Sequence, residues 1–378
     1  MARGVYIHIP FCHQICNYCD FNKVFFKNQP VDEYIEALGM EMKLWTEDKE
    51  AFSHIETIFL GGGTPTSLSP TQLSRLLTLI KTYIPMEHVK EFTSEANPDE
   101  LTKEKLEVLF NGGVNRLSLG VQAFQPELLK KLGRTHSNDD VFETIEEAKK
   151  VGFKNISIDL MYGLPGQTMD EWKETLKIAF DLNLPHYSAY SLIVESKTIF
   201  YNLMNKGKLS LPGEDQEADM YEELMQQMET HGWHQYEISN FAKEEHSSIH
   251  NRIYWDNDEY AGFGAGAHGY VNGTRYSNHA PLKKYISTLE AGERPILKTH
   301  EVTQSEKIEE ELFLGLRKTA GISKSHFKEK FGCTIESVYS EKLQLLVSAG
   351  LISNDEEAVK LTKKGRFVGN EVFEEFLL

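Results

Sequence analysis

Cys12, Cys16 and Cys19 form a Cys-x3-Cys-x2-Cys run directly after the apolar stretch VYIHIP. Three thiolates on one short loop can hold three irons of a [4Fe-4S] cluster and leave the fourth open to a ligand, whereas a cluster that only carries electrons usually takes four cysteines. A Cys3His zinc site using His8 or His13 is the competing metal reading, but structural zinc pairs two short ligand motifs across a spacer, and no second pair follows here. Cysteines that merely pack are the third alternative. Cys333 lies more than three hundred residues further on, and the odd local cluster argues against a disulfide framework.

Other residues invite a chemical reading. In GGGTPT, Gly61, Gly62, Gly63 and Thr64 can bring bare backbone up to a ligand where a Cβ would block approach, although such a run also makes an ordinary turn. Glu95, at the end of EFTSEANP, either offers a carboxylate to an amino or ribose group or caps a helix. Asp159 interrupts an otherwise apolar stretch, as a functional or hydrogen-bonded acid does. His250 opens HNRIYW, where an imidazole beside Tyr254 and Trp255 suits either heme ligation or a satisfied, half-buried histidine. Gly262, Gly264 and Gly266 in GFGAGAH do not make a dinucleotide loop, because no apolar strand precedes them and no βαβ unit surrounds them. That segment is expected to cross the mouth of the fold, where missing side chains allow approach to a flat ligand.

The elements that position these residues alternate in period. Strand-like runs at 5–10, 55–62, 91–98, 115–122, 155–165 and 186–195 are separated by stretches of helical spacing. In one, Ser69 caps, Pro70 opens the first turn, and Leu73, Leu76, Leu77 and Ile80 recur on one face; in the next, Leu106, Leu109 and Phe110 repeat the pattern up to Gly112. Six such units in series predict an α/β protein with a parallel sheet. The cysteines, GGGTPT, Glu95 with Asn97, Gln122 and Asp159 all fall at or after strand C-terminal ends, which favours a (β/α) barrel over a doubly wound sheet with one switch crevice. A helix over 214–231 and a strand over 236–241 follow. Residues 304–378 read as short helices with a hairpin, a winged-helix-like α+β module. The expected organisation is a barrel core at 1–200, a barrel extension carrying HNRIYW and the Gly-rich segment at 201–300, and the C-terminal module at 301–378.

Composition narrows the partners. Of 378 residues, 40% are hydrophobic and 26% charged, with 57 acidic against 40 basic side chains, an ordinary globular balance with a formal charge of −17. This disfavours a phosphate-tracking surface, and the C-terminal module, with 11 basic against 14 acidic residues, is no DNA reader either, so nucleic acid is excluded as a partner. No apolar run approaches the length of a membrane span, and the start lacks a secretory pattern, so a cytoplasmic location is expected.

The cysteine motif, with Tyr18 before its last member, resembles the signature of the radical S-adenosylmethionine (SAM) superfamily. YIHIPFC, CDF, GGGTPT, EANP, GVQ, LGRTH, IDLMYGLPGQT and HNRIYW follow in the order seen in the oxygen-independent coproporphyrinogen III oxidase family, and they are most similar to its heme-chaperone branch. The resemblance implies a partial (β/α) barrel with Cys12, Cys16 and Cys19 as cluster ligands and SAM chelating the open iron, where one electron can cleave the sulfonium bond to a deoxyadenosyl radical. It also implies that Tyr6 and Tyr18 flank the cofactor, that Gly62, Gly63, Thr64 and Glu95 contact SAM, and that Gln122, Arg134 and Asp159 match positions lining a second SAM site. On its residue type alone Arg134 equally suits a surface charge. Ile193 and Ala267 are weaker candidates for backbone or apolar contacts.

Two departures bear on activity. The oxidases carry a further cysteine two residues after the triplet, where this chain has Phe21 preceded by Asp20, and their first strand follows a longer N-terminal segment. Both favour a heme chaperone that passes heme to an acceptor apoprotein, with an electron donor for the cluster and peripheral contact with a membrane-bound acceptor compatible with that role. Oxidative decarboxylation of coproporphyrinogen III and radical SAM methyl transfer are the alternative activities.

Overall fold

The computed structural model describes residues 1–47 and 50–377. Six parallel strands run β1 (Gly4–Ile9), β2 (Thr57–Gly62), β3 (Glu91–Ala96), β4 (Arg116–Gln122), β5 (Asn155–Tyr162) and β6 (His186–Ser191). Past β6 come β7 (His234–Glu237) and β8 (Asn240–Ala242); past β1 come β9 (Tyr260–Phe263), β10 (His268–Val271), β11 (Thr274–Asn278) and β12 (Ile296–Glu301). All twelve form one open sheet in the order β12-β11-β10-β9-β1-β2-β3-β4-β5-β6-β8-β7, a partial barrel with antiparallel extensions at both edges.

Alternation along the strands separates packing from chemistry. On β4, Leu117, Leu119 and Val121 are fully buried in the main core, while Ser118, Gly120 and Gln122 line a cavity on the opposite side. The intervening helices are defined locally. Pro70–Tyr83 begins with a capping box between Ser69 and Gln72 and buries Leu73, Leu76, Leu77 and Ile80. Lys103–Asn111 buries Leu106 and Leu109 but leaves Phe110 partly exposed against Phe153.

Two expectations meet corrections. The strand expected over 236–241 divides into β7 and β8, with Ile238 and Ser239 between them. Only part of the Gly-rich segment lies at the mouth: residues 260–263 enter the sheet, β9 pairing in parallel with β1 from Gly4↔Tyr260 to Ile7↔Phe263, while Gly266 and Ala267 border a cleft beside the cysteine loop. Its glycines admit the protein's own backbone, since a Cβ on Gly262 would stand 1.8 Å from the His268 carbonyl oxygen and one on Gly264 would stand 2.7 Å from that of His8. Buried Glu41 fastens this turn, accepting from the Gly264 amide at 2.8 Å, Asn278 Nδ2 at 2.6 Å and the Tyr285 hydroxyl at 2.5 Å.

Residues 304–376 have their own hydrophobic cluster around Phe327, Tyr339, Leu343 and Phe376, with three helices of at least eight residues and a small sheet of Ile322–Ser323, Ala358–Leu361 and Ile352–Asn354. This winged-helix-like module meets the barrel through apolar and polar contacts, with Ile238 packed against its core and Tyr221 edge to face with Phe367 at a centroid distance of 5.5 Å. The Thr319 amide donates to the Tyr236 carbonyl at 3.0 Å and Arg366 Nη1 to Gln235 Oε1 at 2.7 Å. Among the described residues no helix is long and apolar enough to cross a membrane.

Candidate functional site

The cysteine loop is shaped by the chain itself. Phe11–Cys12 pairs in parallel with Val24–Phe25, the Asn17 amide donates to the Leu132 carbonyl at 2.9 Å, and the Phe200 amide donates to the Asn17 carbonyl at 3.0 Å. Lys23 Nζ closes the loop by donating to the Cys19 carbonyl at 2.5 Å. Cys12, Cys16 and Cys19 then line one cavity at the C-terminal ends of β2 to β5, and Tyr18, Gly62, Gly63, Thr64, Glu95, Gln122, Arg134 and Asp159 line it with them. Residues that are scattered in sequence meet where strand ends converge.

The donor set is sulfur-rich, which suits a thiophilic metal group such as an iron–sulfur cluster. The three thiols border a common cavity, yet among the described residues no three His, Cys, Asp or Glu side chains are close enough to share one ion. His8 is already engaged through Nδ1 with the Tyr6 hydroxyl at 3.0 Å and through Nε2 with the Asn22 carbonyl at 2.7 Å, and His13 Nε2 with the Ser67 carbonyl at 3.2 Å. His8 has no ring nitrogen left for a metal and neither histidine is part of the cavity lining, which disfavours the Cys3His zinc alternative. Burial pushes the Cys12 thiol up to about 11 and also raises that of Cys19, although Lys23 opposes the latter. A metal group bound here would therefore displace protons from these sulfurs.

Around the thiols, the polar groups are held ready for a ligand. A Cβ on Gly63 would stand 3.0 Å from Cys12 Sγ and 2.8 Å from the Pro10 carbonyl carbon, so only glycine leaves this approach open. Arg134 Nη1 donates to Cys16 Sγ at 3.6 Å and Nη2 donates to the Gly120 carbonyl, while its buried Nε has no partner among the described residues. Such an unmatched donor suits a carboxylate. Across the site, Glu95 Oε2 accepts from the Gly62 amide at 3.1 Å, and burial, reinforced by Asp159, pushes its carboxyl up to about 8. Burial also raises Asp159, which accepts from Ser118 Oγ at 3.1 Å. A cationic ligand between the two acids would favour their ionised forms.

Gln122 reaches the cavity by a backbone irregularity. Register slips between Gly120↔Asp159 and Gln122↔Leu160, and Gln122 has φ of 69°, a left-handed conformation that costs a non-glycine residue energy. Ser118 and Asn97 also line the site, Asn97 Nδ2 donating to Thr64 Oγ1 at 3.3 Å. Ser118 has no chemical signature, but its two-residue offsets to Gly120 and Gln122 put it on the same strand face.

The remaining candidates lie elsewhere. Tyr6 borders a second cleft with Ala267, and Ile193 is exposed beyond the end of β6. His250 lies in neither cavity. It is 1% exposed, with Nδ1 in a hydrogen bond to Thr57 Oγ1 at 2.7 Å and Nε2 in one to the Tyr254 hydroxyl at 2.9 Å. Burial, with Arg116 adding repulsion, lowers its pKa to about 3. Contrary to the expectation of heme contact, this imidazole is neutral and presents no free lone pair. Its helix, Ile249–Trp255, is anchored by buried Glu91, which accepts from Ser248 Oγ and the amides of Ile249 and His250 at 3.1, 2.9 and 3.0 Å.

Comparison with known proteins agrees with the geometry. The Radical SAM superfamily matches residues 6–179 and the HemN C-terminal domain matches residues 302–368. The chain is 54% identical to "Heme chaperone HemW" of Bacillus subtilis, with 99% of each chain covered. It is 46% identical to the protein of that name from Lactococcus lactis, covering 100% of this chain and 97% of the relative. Among solved structures, coproporphyrinogen III oxidase (HemN) from Escherichia coli superposes with a TM-score of 0.85 at 26% identity, covering 99% of this chain and 89% of that one.

Proposed function

The chain belongs to the radical SAM superfamily and, within the HemN family, to the HemW group, and from that premise we propose that it holds heme and delivers it to an acceptor apoprotein. The observation that carries this reading is the full-length similarity to proteins named heme chaperones, joined to an intact three-cysteine cavity. Phe21 stands where the oxidases carry a further cysteine, which supports transfer of heme over synthesis of its precursor.

Cys12, Cys16 and Cys19 are the proposed ligands to three irons of a [4Fe-4S] cluster, with SAM at the fourth. Such a pair, when bound and reduced, supplies one-electron cleavage of a sulfonium bond. The chain's own part is binding and orientation. The Arg134 guanidinium meets the ligand carboxylate, Glu95 and Asp159 face its cationic groups, and Gly62, Gly63 and Thr64 provide close backbone approach. Tyr18 and Gln122 complete the walls, with Tyr6 behind them. A reductant for the cluster and an acceptor apoprotein are the partners this implies, and a membrane-bound acceptor would be met peripherally.

Anaerobically reconstituted protein titrated with hemin should show saturable binding of one heme per chain by absorbance, and with reductant and SAM it should not decarboxylate coproporphyrinogen III. No hemin binding, or conversion to protoporphyrinogen IX, would overturn the proposal.

A further inference from the structure

Beside the cysteine cavity lies a second cleft of about 630 Å³, bounded by residues 20–22, the turn between β9 and β10, the end of β11, and Leu297 and Lys298 of β12. We propose that this cleft is where heme sits, with His268 as its axial iron ligand. The assignment rests on the heme-chaperone reading and names the site that reading leaves open.

Shape and surface suit a flat apolar ring. The volume falls within the range of small-molecule sites. Tyr6, Tyr254 and Tyr260 line it, the last two packed edge to face with centroids 4.6 Å apart, and Phe21 and Leu297 stand 62% and 52% exposed at its border. Large apolar side chains left in water beside a cleft mark a surface that a ligand covers. Lys298, exposed and without an ion pair among the described residues, offers an ammonium to a propionate.

Two histidines border the cleft, and their states differ. His8 has both ring nitrogens in hydrogen bonds. His268 is exposed, and its imidazole has no hydrogen bond among the described residues. Its backbone is nonetheless fixed, because His268 opens β10, pairs with Ser277, and has its carbonyl pressed against Gly262. A free imidazole on a rigid strand is the arrangement a metal ligand needs. Binding forms one bond from an imidazole nitrogen lone pair to the iron, any proton on that nitrogen going to solvent, and leaves the iron oxidation state unchanged.

This placement also gives His250 a role without iron contact. Its Nε2 is hydrogen-bonded to the hydroxyl of Tyr254, which lines the cleft, so His250 is a positioning residue. Phe21 borders both cavities and forms the shared wall between the cluster site and the heme.

The test titrates hemin and iron-free protoporphyrin IX into the reconstituted wild type, His268→Ala, His268→Met and His250→Ala, with iron content and far-ultraviolet circular dichroism confirming each fold. For hemin, His268→Ala should lose about tenfold or more in affinity and shift the Soret band, while His268→Met should give a different ligand signature. Protoporphyrin IX, having no iron, should bind wild type and His268→Ala alike. His250→Ala should weaken both ligands without changing the hemin signature. A wild-type Soret band and affinity in His268→Ala would overturn the ligand assignment and leave the chaperone reading standing; a wild type that binds no hemin would overturn both.

Discussion

Glu41 shows what one buried carboxyl does to this chain. Burial pushes it up from 4.5 to about 7, even though Tyr285, Gly264 and Asn278 donate to it. Folding therefore takes up a proton between those two values, and stability falls as pH rises through that window, the loss being complete above about 7. Glu41→Gln carries no such titration. Denaturant unfolding of wild type and variant should show the wild type losing on the order of 1–3 kcal/mol relative to Glu41→Gln between about pH 5 and about pH 8. A constant difference across that range would count against a titrating Glu41. Legibility at this scale divides by distance along the chain. The cysteine triplet, Glu95 and Asp159 announced themselves by residue type, whereas the bonding of His250 depends on Thr57, 193 positions away, and no local pattern reports it.

Glu91 joins β3 to the helix Ile249–Trp255, across about 160 residues of sequence, by accepting three hydrogen bonds at that helix's first turn. Removing the carboxylate leaves buried donors unmatched, so Glu91→Ala should lower the unfolding free energy by about 2–4 kcal/mol, read from denaturant midpoints. Glu91→Gln, which retains an acceptor, should lose less. The same contrast explains which elements the sequence discloses. The six parallel strands and the helix Pro70–Tyr83 follow from period and capping, because those signals act within a few residues. The slip at Gln122 and the entry of the Gly-rich segment beside β1 depend on tertiary partners. That segment also reads poorly because its glycines suit a mobile loop and a close-packed strand equally well.

At the scale of the whole molecule, the module with its own core around Phe327 and Tyr339 contributes no side chain to the cysteine cavity among the described residues. Cys333 packs against that core. Cys333→Ala should therefore reconstitute the same iron content and visible spectrum as wild type, while Cys16→Ala should lose the cluster. Loss of iron from Cys333→Ala would place this cysteine within the metal site. In sequence the module is marked by a change from strand–helix alternation to short helices with a hairpin. Its joint with the barrel has no such local mark, because Thr319 meets Tyr236, Arg366 meets Gln235 and Phe367 meets Tyr221 only after both units have formed.

The hydrogen bonds that shape the cysteine loop run to Leu132, Phe200 and the Val24–Phe25 strand, so partners from three separate parts of the chain hold its backbone. A loop so held takes its shape from neighbours more than a hundred residues away, so a backbone change at Leu132 or Phe200 is transmitted to the three cysteines.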